Sequence, residues 1–140
     1  MITKTVALIG TFDTKGEEFS FLREQIERAG LRTITIDVGV LGNPPFEPDI
    51  SQAEVAAAAN EDLEELRTER DRGRSVTKMA VGVKAIVGRL FEQGAIHGVV
   101  SLGGSAGTAI ATAAMRVLPC GSMGASMQRA ALLRTRQERT

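Results

Sequence analysis

Three apolar segments of strand length, each followed along the chain by a helical pattern, restrict the fold more than any other feature. The first is residues 5–10, a continuous apolar run that ends in glycine. The second is residues 32–38, which are rich in β-branched side chains, and the third is residues 96–102. Alternation of apolar strands with helices is typical of a parallel sheet covered on both faces. We therefore predict an α/β fold, a three-layer Rossmann-like parallel sheet of about three to four strands. This sheet is incomplete, because no fourth strand pattern follows residue 119.

The helices are predicted from capping signals and apolar periodicity. Thr14 and Glu17 have the spacing of a capping box and predict the start of the first helix, which Gly30 ends. One apolar stripe on this helix contains Phe19, Leu22, Ile26 and Ala29. The first helix therefore packs one face on the sheet.

Further along the chain the patterns are shorter. Residues 39–50 hold glycines and prolines and predict a long loop, and a capping box at residues 51–54 opens a second helix. Residues 61–69 predict a short surface helix whose charges form a solvated face. Residues 71–75 predict a break before the clearest helix, at about 76–93, and the last helix is predicted over 109–117.

Composition narrows the class of protein. With 43% hydrophobic and 24% charged residues in 140, the chain has the make-up of a globular protein rather than a disordered one. No apolar run reaches the ~18 residues of a membrane span, and no signal-peptide pattern opens the chain, so we expect no membrane partner and a cytoplasmic location. One His, no Trp and no Tyr disfavour a zinc site and an aromatic nucleic-acid platform.

The charge is unevenly distributed along the chain. Residues 1–119 have a net charge of −3, whereas residues 120–140 hold four Arg and one Glu and have a net charge of +3. We predict that residues 1–119 form the N-terminal lobe of an α/β nucleotide-binding domain. Residues 120–140 then form a basic tail of a different kind, which a frameshifted or truncated reading frame, or a disordered segment, would explain.

The strongest chemical signal is the glycine-rich turn between the third strand and the last helix. Gly103, Gly104, Ser105, Gly107 and Thr108 lie there, at the carboxyl end of a strand and the start of a helix. Backbone N–H groups without nearby β-carbons can converge on phosphate oxygens, and the helix dipole favours an anion. The alternative is a tight turn that only brings the helix close to the sheet. The spacing is neither a P-loop nor a dinucleotide fingerprint.

A second candidate loop follows the first strand. It contains Thr11, Phe12, Asp13 and Lys15, and parallel strands bring it to the same sheet edge as the glycine-rich turn. Lys15 can neutralise a phosphate and Asp13 can hold Mg²⁺ through water. The alternative is that Asp13 caps the helix and that Lys15 is solvated.

Asp37 ends the second strand at that same edge. A carboxylate there can accept hydrogen bonds from ribose hydroxyls, although no dinucleotide fingerprint precedes it, and a capping or turn role is the alternative. His97 lies at the opposite end of its strand, where we expect a structural role.

Three stretches together resemble a known family. They are residues 6–18, residues 36–42 with 48–50, and residues 101–108 with 113–116. They are similar to the N-terminal part of the ATP-binding domain family named for the tomato mosaic virus resistance protein, whose bacterial members were long uncharacterised. The resemblance implies a two-lobed α/β domain that binds ATP near glycine-rich loops, so the residues named in the two loops are expected at the nucleotide site. Asp37 is a further candidate because of its position at the same sheet edge.

Two functions follow as hypotheses. The first is an ATP-binding or nucleotide-binding module, with Mg²⁺ as an accompanying ion. The second is an enzyme similar to small-molecule kinases or acting on other phosphate esters; Ser105 and Ala106 replace the acid of the Gly-Gly-Asp-Gly turn in such kinases. We also expect a homo-oligomer or another association through the exposed sheet edge, and no nucleic-acid partner.

Overall fold

A three-stranded parallel sheet lies at the centre of the computed structural model, which describes residues 3–102 and 105–118. The strands are β1 (Thr5–Gly10), β2 (Arg32–Asp37) and β3 (Gly98–Val100), and the helices are α1 (Phe12–Arg28), α2 (Gln52–Ala58), α3 (Leu63–Glu69), α4 (Arg72–Glu92) and α5 (Ser105–Met115). The strand order is β2-β1-β3, so β1 is central. The α/β fold with an open, incomplete Rossmann-like sheet is thereby confirmed.

Alternate side chains of β1 enter two separate cores. Val6 and Leu8 pack with Phe12 and Phe19 of α1 on one face. Ala7 and Ile9 belong to the larger cluster on the other face, where α2, α4 and α5 pack. Because strand side chains alternate between faces, a continuous apolar run becomes a strand buried on both sides. This explains why the predicted three-layer arrangement forms.

The first helix begins earlier than its capping-box spacing predicts. It starts at Phe12, and the Thr11 carbonyl oxygen accepts from the N–H groups of Thr14 and Lys15, at 3.2 and 2.8 Å. Lys15 itself departs from helical geometry, with φ −123° and ψ 23°, so the capping-box prediction at Thr14 is wrong. The side chain of Phe12 is fully buried against Phe19, which holds the extra turn in place. Ala29, which we predicted to belong to the buried apolar stripe of this helix, is exposed.

Other boundaries differ for local reasons. The break predicted at residues 71–75 is shorter and earlier: only Arg70 and Asp71 separate α3 from α4, because the Asp71 side chain accepts from the Arg74 N–H at 3.0 Å and caps α4 from Arg72 onward. The third strand is shorter than predicted and α5 begins four residues earlier. The Ser51 cap of α2 is confirmed, since its hydroxyl accepts from the Glu54 N–H at 3.2 Å.

His97 has the structural role expected from its position. The ring Nδ1 of His97 accepts from the Thr5 N–H at 3.0 Å, and the backbone N–H of His97 donates to the Thr5 carbonyl at 2.8 Å. These bonds join the amino ends of β1 and β3. The side chain therefore lies at the edge of the sheet opposite to the candidate loops.

The contact between α2 and α4 depends on Gly82. A β-carbon at this position would lie 2.0 Å from the carbonyl oxygen of Val55, whereas one at Gly88, in the same helix, would meet no atom within 4 Å. We expect Gly82→Ala to lower the free energy of unfolding by about 1–3 kcal/mol, because the two helices must move apart. Gly88→Ala, the matched control, should raise it by about 0.5–1 kcal/mol through helix propensity. Urea denaturation of both variants tests this, and equal effects would contradict the close helix contact.

Candidate functional site

Asp37, at the end of β2, holds three segments together at the carboxyl edge of the sheet. Its side chain is fully buried. The Oδ1 atom accepts from the N–H groups of Phe12 and Gly39, at 3.2 and 2.9 Å, and Oδ2 accepts from Nε2 of Gln52 at 2.9 Å. The carboxylate therefore ties the start of α1, the loop after β2 and the start of α2 to one point. In this arrangement it does not line the cavity described below, and its predicted ribose contact stays a prediction.

Asp13 fixes the same loop from the side of α1. Its Oδ2 accepts from the N–H groups of Leu41 and Gly42, at 2.8 and 3.1 Å, while its buried Oδ1 has no hydrogen-bond partner within residues 3–102 and 105–118. A β-carbon at Gly39 would lie 2.5 Å from that Oδ1. Only glycine fits beside this carboxylate, so the loop can approach α1 closely.

Arg67 of α3 is a second anchor that the sequence analysis missed. Its Nε donates to the Val40 carbonyl at 3.0 Å, and one terminal nitrogen donates to Oε1 of Gln52 at 2.7 Å. The same Gln52 side chain donates to Asp37 and to the Gly42 carbonyl. The expected solvated face of residues 61–69 is therefore wrong at Arg67. Leu66, a large apolar residue of the same helix, is only 2% exposed and belongs to the core.

These segments border a cavity of about 520 Å³ at the carboxyl edge of β1 and β2. Four basic side chains line it, and Asp13 is the one acidic residue among its lining residues; the basic ones are Lys15, Arg67, Arg70 and Arg72. The first turn of α5 contributes Ala106 and Gly107. Since basic side chains and a helix N-terminus both favour negative charge, the cavity is suited to an anion.

The predicted site residues divide into three groups. Thr11, Asp13, Lys15 and Gly107 line the cavity, and Gly107 lies near Thr11, as expected of loops that share a sheet edge. Phe12 is fully buried in the core beside α1, and Thr108, in α5, does not line the cavity. Ser105 is the first residue of α5, and Gly103 and Gly104 lie outside the described residues.

The basic residues between α3 and α4 carried no specific sequence signal. Arg70 and Arg72 lie in a run of alternating charges that is also typical of a solvated helix surface. Arg74, two residues after Arg72, instead pairs with Glu61 and Glu69 at 3.2 Å each. The fold of α3 and α4 places Arg70 and Arg72 at the cavity and Arg74 against two glutamates. The sequence pattern alone does not distinguish these three arginines.

The described residues do not form a protein-held metal site. Within 3–102 and 105–118 there is no cluster of three or more His, Cys, Asp or Glu side chains that could hold an ion. The Asp13 oxygen that lacks a partner is buried beside Gly39, and its other oxygen is occupied by two backbone N–H groups. The predicted contact of Asp13 with Mg²⁺ through water stays a prediction. Over the same residues, no helix has both the length and the apolar character needed to cross a bilayer.

Comparison with known proteins places the whole described region in one family. Residues 4–122 match the family described as "Uncharacterised protein family (UPF0261) N-terminal domain". A UPF0261 protein of Clostridium tetani is 47% identical over 120 residues, covering 86% of this chain and 30% of that protein. UPF0261 proteins of Brucella suis and Rhizobium meliloti are 40% and 38% identical, covering 83% and 84% of this chain and 28% and 29% of theirs. The chain thus spans less than a third of the length of these relatives.

The pKa of Asp37 gives a test of the buried network. Burial raises this pKa above its ordinary value of 3.8, and the nearby charge of Asp13 acts in the same direction, while hydrogen bonds from Gly39, Phe12 and Gln52 oppose the rise. The folded chain therefore keeps the proton to higher pH than the unfolded chain does. Its free energy of unfolding should fall as pH rises from about 4 through the raised pKa.

Asp37→Asn removes this titration. In urea denaturation at several pH values between about 4 and 7, the stability of the unsubstituted chain relative to the variant should decrease with rising pH. A difference that is constant or increases over this range would contradict the assignment.

Proposed function

We propose that this chain, which belongs to the UPF0261 family as a copy of its N-terminal domain, binds a phosphate-bearing ligand, with ATP as the first candidate. The site is the cavity at the carboxyl edge of β1 and β2. The observation that carries the proposal is the concentration of Lys15, Arg67, Arg70 and Arg72 around one cavity, beside the first turn of α5. Binding beyond the carboxyl ends of parallel strands is the general rule for open α/β sheets.

The resemblance to the ATP-binding family named for the tomato mosaic virus resistance protein supports ATP in particular. It rests on the residues of the two loops, of which Thr11, Asp13, Lys15 and Gly107 line the cavity. In this proposal residues 1–119 form the N-terminal lobe of a longer α/β protein. Mg²⁺ enters only as an ion bound to the phosphates of the ligand.

The cavity can also explain why a nucleotide is a better candidate than a small anion. A volume of about 520 Å³ is within the range of small-molecule sites, about 300–1,000 Å³, and far exceeds that of a single phosphate. Several basic side chains around one cavity match a polyphosphate, since its negative charges are spread over several phosphate groups. ATP supplies enough oxygens for all of them.

Calorimetric titration with ATP, with and without Mg²⁺, tests the proposal. Lys15→Ala and Arg70→Ala should each weaken binding about tenfold, which corresponds to the loss of one charge-assisted hydrogen bond. Lys84→Ala is the matched control, because Lys84 is exposed on α4 and does not line the cavity. No binding by the unsubstituted chain, or equal losses in all three variants, would refute the proposal. Release of inorganic phosphate during the titration would instead favour the enzyme hypothesis.

The free edge of β3 supports a second, separate proposal, association between copies of the chain. Within the described residues β3 pairs only with β1, whereas the outer side of β2 is partly covered by Ile50, which exchanges backbone hydrogen bonds with Thr35 and Asp37. An open strand edge is a template for pairing. Sedimentation equilibrium over a hundredfold range of concentration should show dimers, and a monomer throughout would contradict the proposal.

A further inference from the structure

We infer that Leu41 forms an apolar contact for the ring system of the ligand, so that the cavity selects nucleoside polyphosphates over inorganic polyphosphates. This inference rests on the proposed function and assigns a specificity-determining residue to the same cavity. Leu41 belongs to the loop after β2 and lines the cavity together with the basic side chains.

The exposure of Leu41 sets it apart from the other apolar residues. It is 82% exposed, the highest value among the exposed large apolar side chains of the described residues; the others are Phe21, Val81 and Val117. None of those three lines the cavity. A single exposed leucine is ordinary on a surface, but its position at a cavity with four basic side chains is specific.

The loop that carries Leu41 is held in place by hydrogen bonds on both sides. Arg67 donates to the Val40 carbonyl at 3.0 Å, and Asp13 accepts from the N–H of Leu41 itself at 2.8 Å. Gly42 donates to Asp13 through its N–H and accepts from Gln52 through its carbonyl, at 3.1 and 2.9 Å. The backbone at Leu41 is therefore held in place, and its side chain starts from a fixed position at the cavity. A ligand that covers it does not have to order the loop first.

The neighbouring surface extends the apolar contact. Val40 and Val76 are partly exposed and also line the cavity. An inorganic polyphosphate would use only the basic side chains and would leave this surface in water. A nucleoside polyphosphate adds a flat, weakly polar ring that can cover Leu41, and burial of apolar area then favours it.

The test compares ATP with inorganic tripolyphosphate on the full chain by calorimetry. Leu41→Ala should weaken ATP binding about fivefold, while the affinity for tripolyphosphate should stay within about twofold. Phe21→Ala is the matched control, because Phe21 is 63% exposed and lies on α1 away from the cavity, and it should change neither affinity. Lys15→Ala should weaken both ligands.

Each other result overturns a defined part of the argument. If ATP binds but Leu41→Ala leaves its affinity unchanged, or weakens both ligands equally, the role of Leu41 is refuted while the phosphate site stands. If neither ligand binds to the unsubstituted chain, the proposed function fails and this inference fails with it. If Leu41→Ala changes the sedimentation coefficient and not the ATP affinity, Leu41 contacts a second copy of the chain, and its role in ligand selection is refuted.

Discussion

The buried carboxylate of Asp37 is the interaction on which the carboxyl edge of the sheet depends. A carboxylate in the protein interior is costly unless hydrogen-bond donors surround it, so each of its three donors has to stay in place. Those donors come from α1, from the loop after β2 and from α2. One buried group thereby fixes the relative positions of three segments that are far apart in sequence.

Gln52 extends this constraint to a basic side chain. Its amide nitrogen donates to Asp37, and its amide oxygen accepts from Arg67. Arg67 itself pairs with Glu64 at 3.0 Å, so the network orients a side chain that already has a carboxylate partner and still lines the cavity. The same network holds the loop at residues 40–42, of which Val40 and Leu41 line the cavity together with the start of α5.

The sequence predicted the strands well because their apolar runs have a direct physical cause, burial on both faces of a parallel sheet. It also predicted that Thr11, Asp13 and Lys15 lie at the carboxyl edge of the sheet, because the carboxyl ends of parallel strands lie on the same side. It could not identify Arg67 or Gln52, since their contacts join positions 15 residues apart through helix packing. The start of α4 was misplaced because Gly73 suggested a break, although Asp71 caps the helix before that glycine.

The positive charge of the cavity connects this hydrogen-bond network to the ligand binding that we propose. The four basic side chains share one space and repel each other, although Arg67 also pairs with Glu64 and with the network described above. A polyanion in the cavity would relieve that repulsion, and the pinned loop means that little order has to be created on binding. The structural hydrogen bonds of Asp37, Asp13 and Gln52 therefore serve the proposed site indirectly. They hold charge and apolar surface together before a ligand arrives, so the selectivity that we propose would arise from the fold and not from a rearrangement of it.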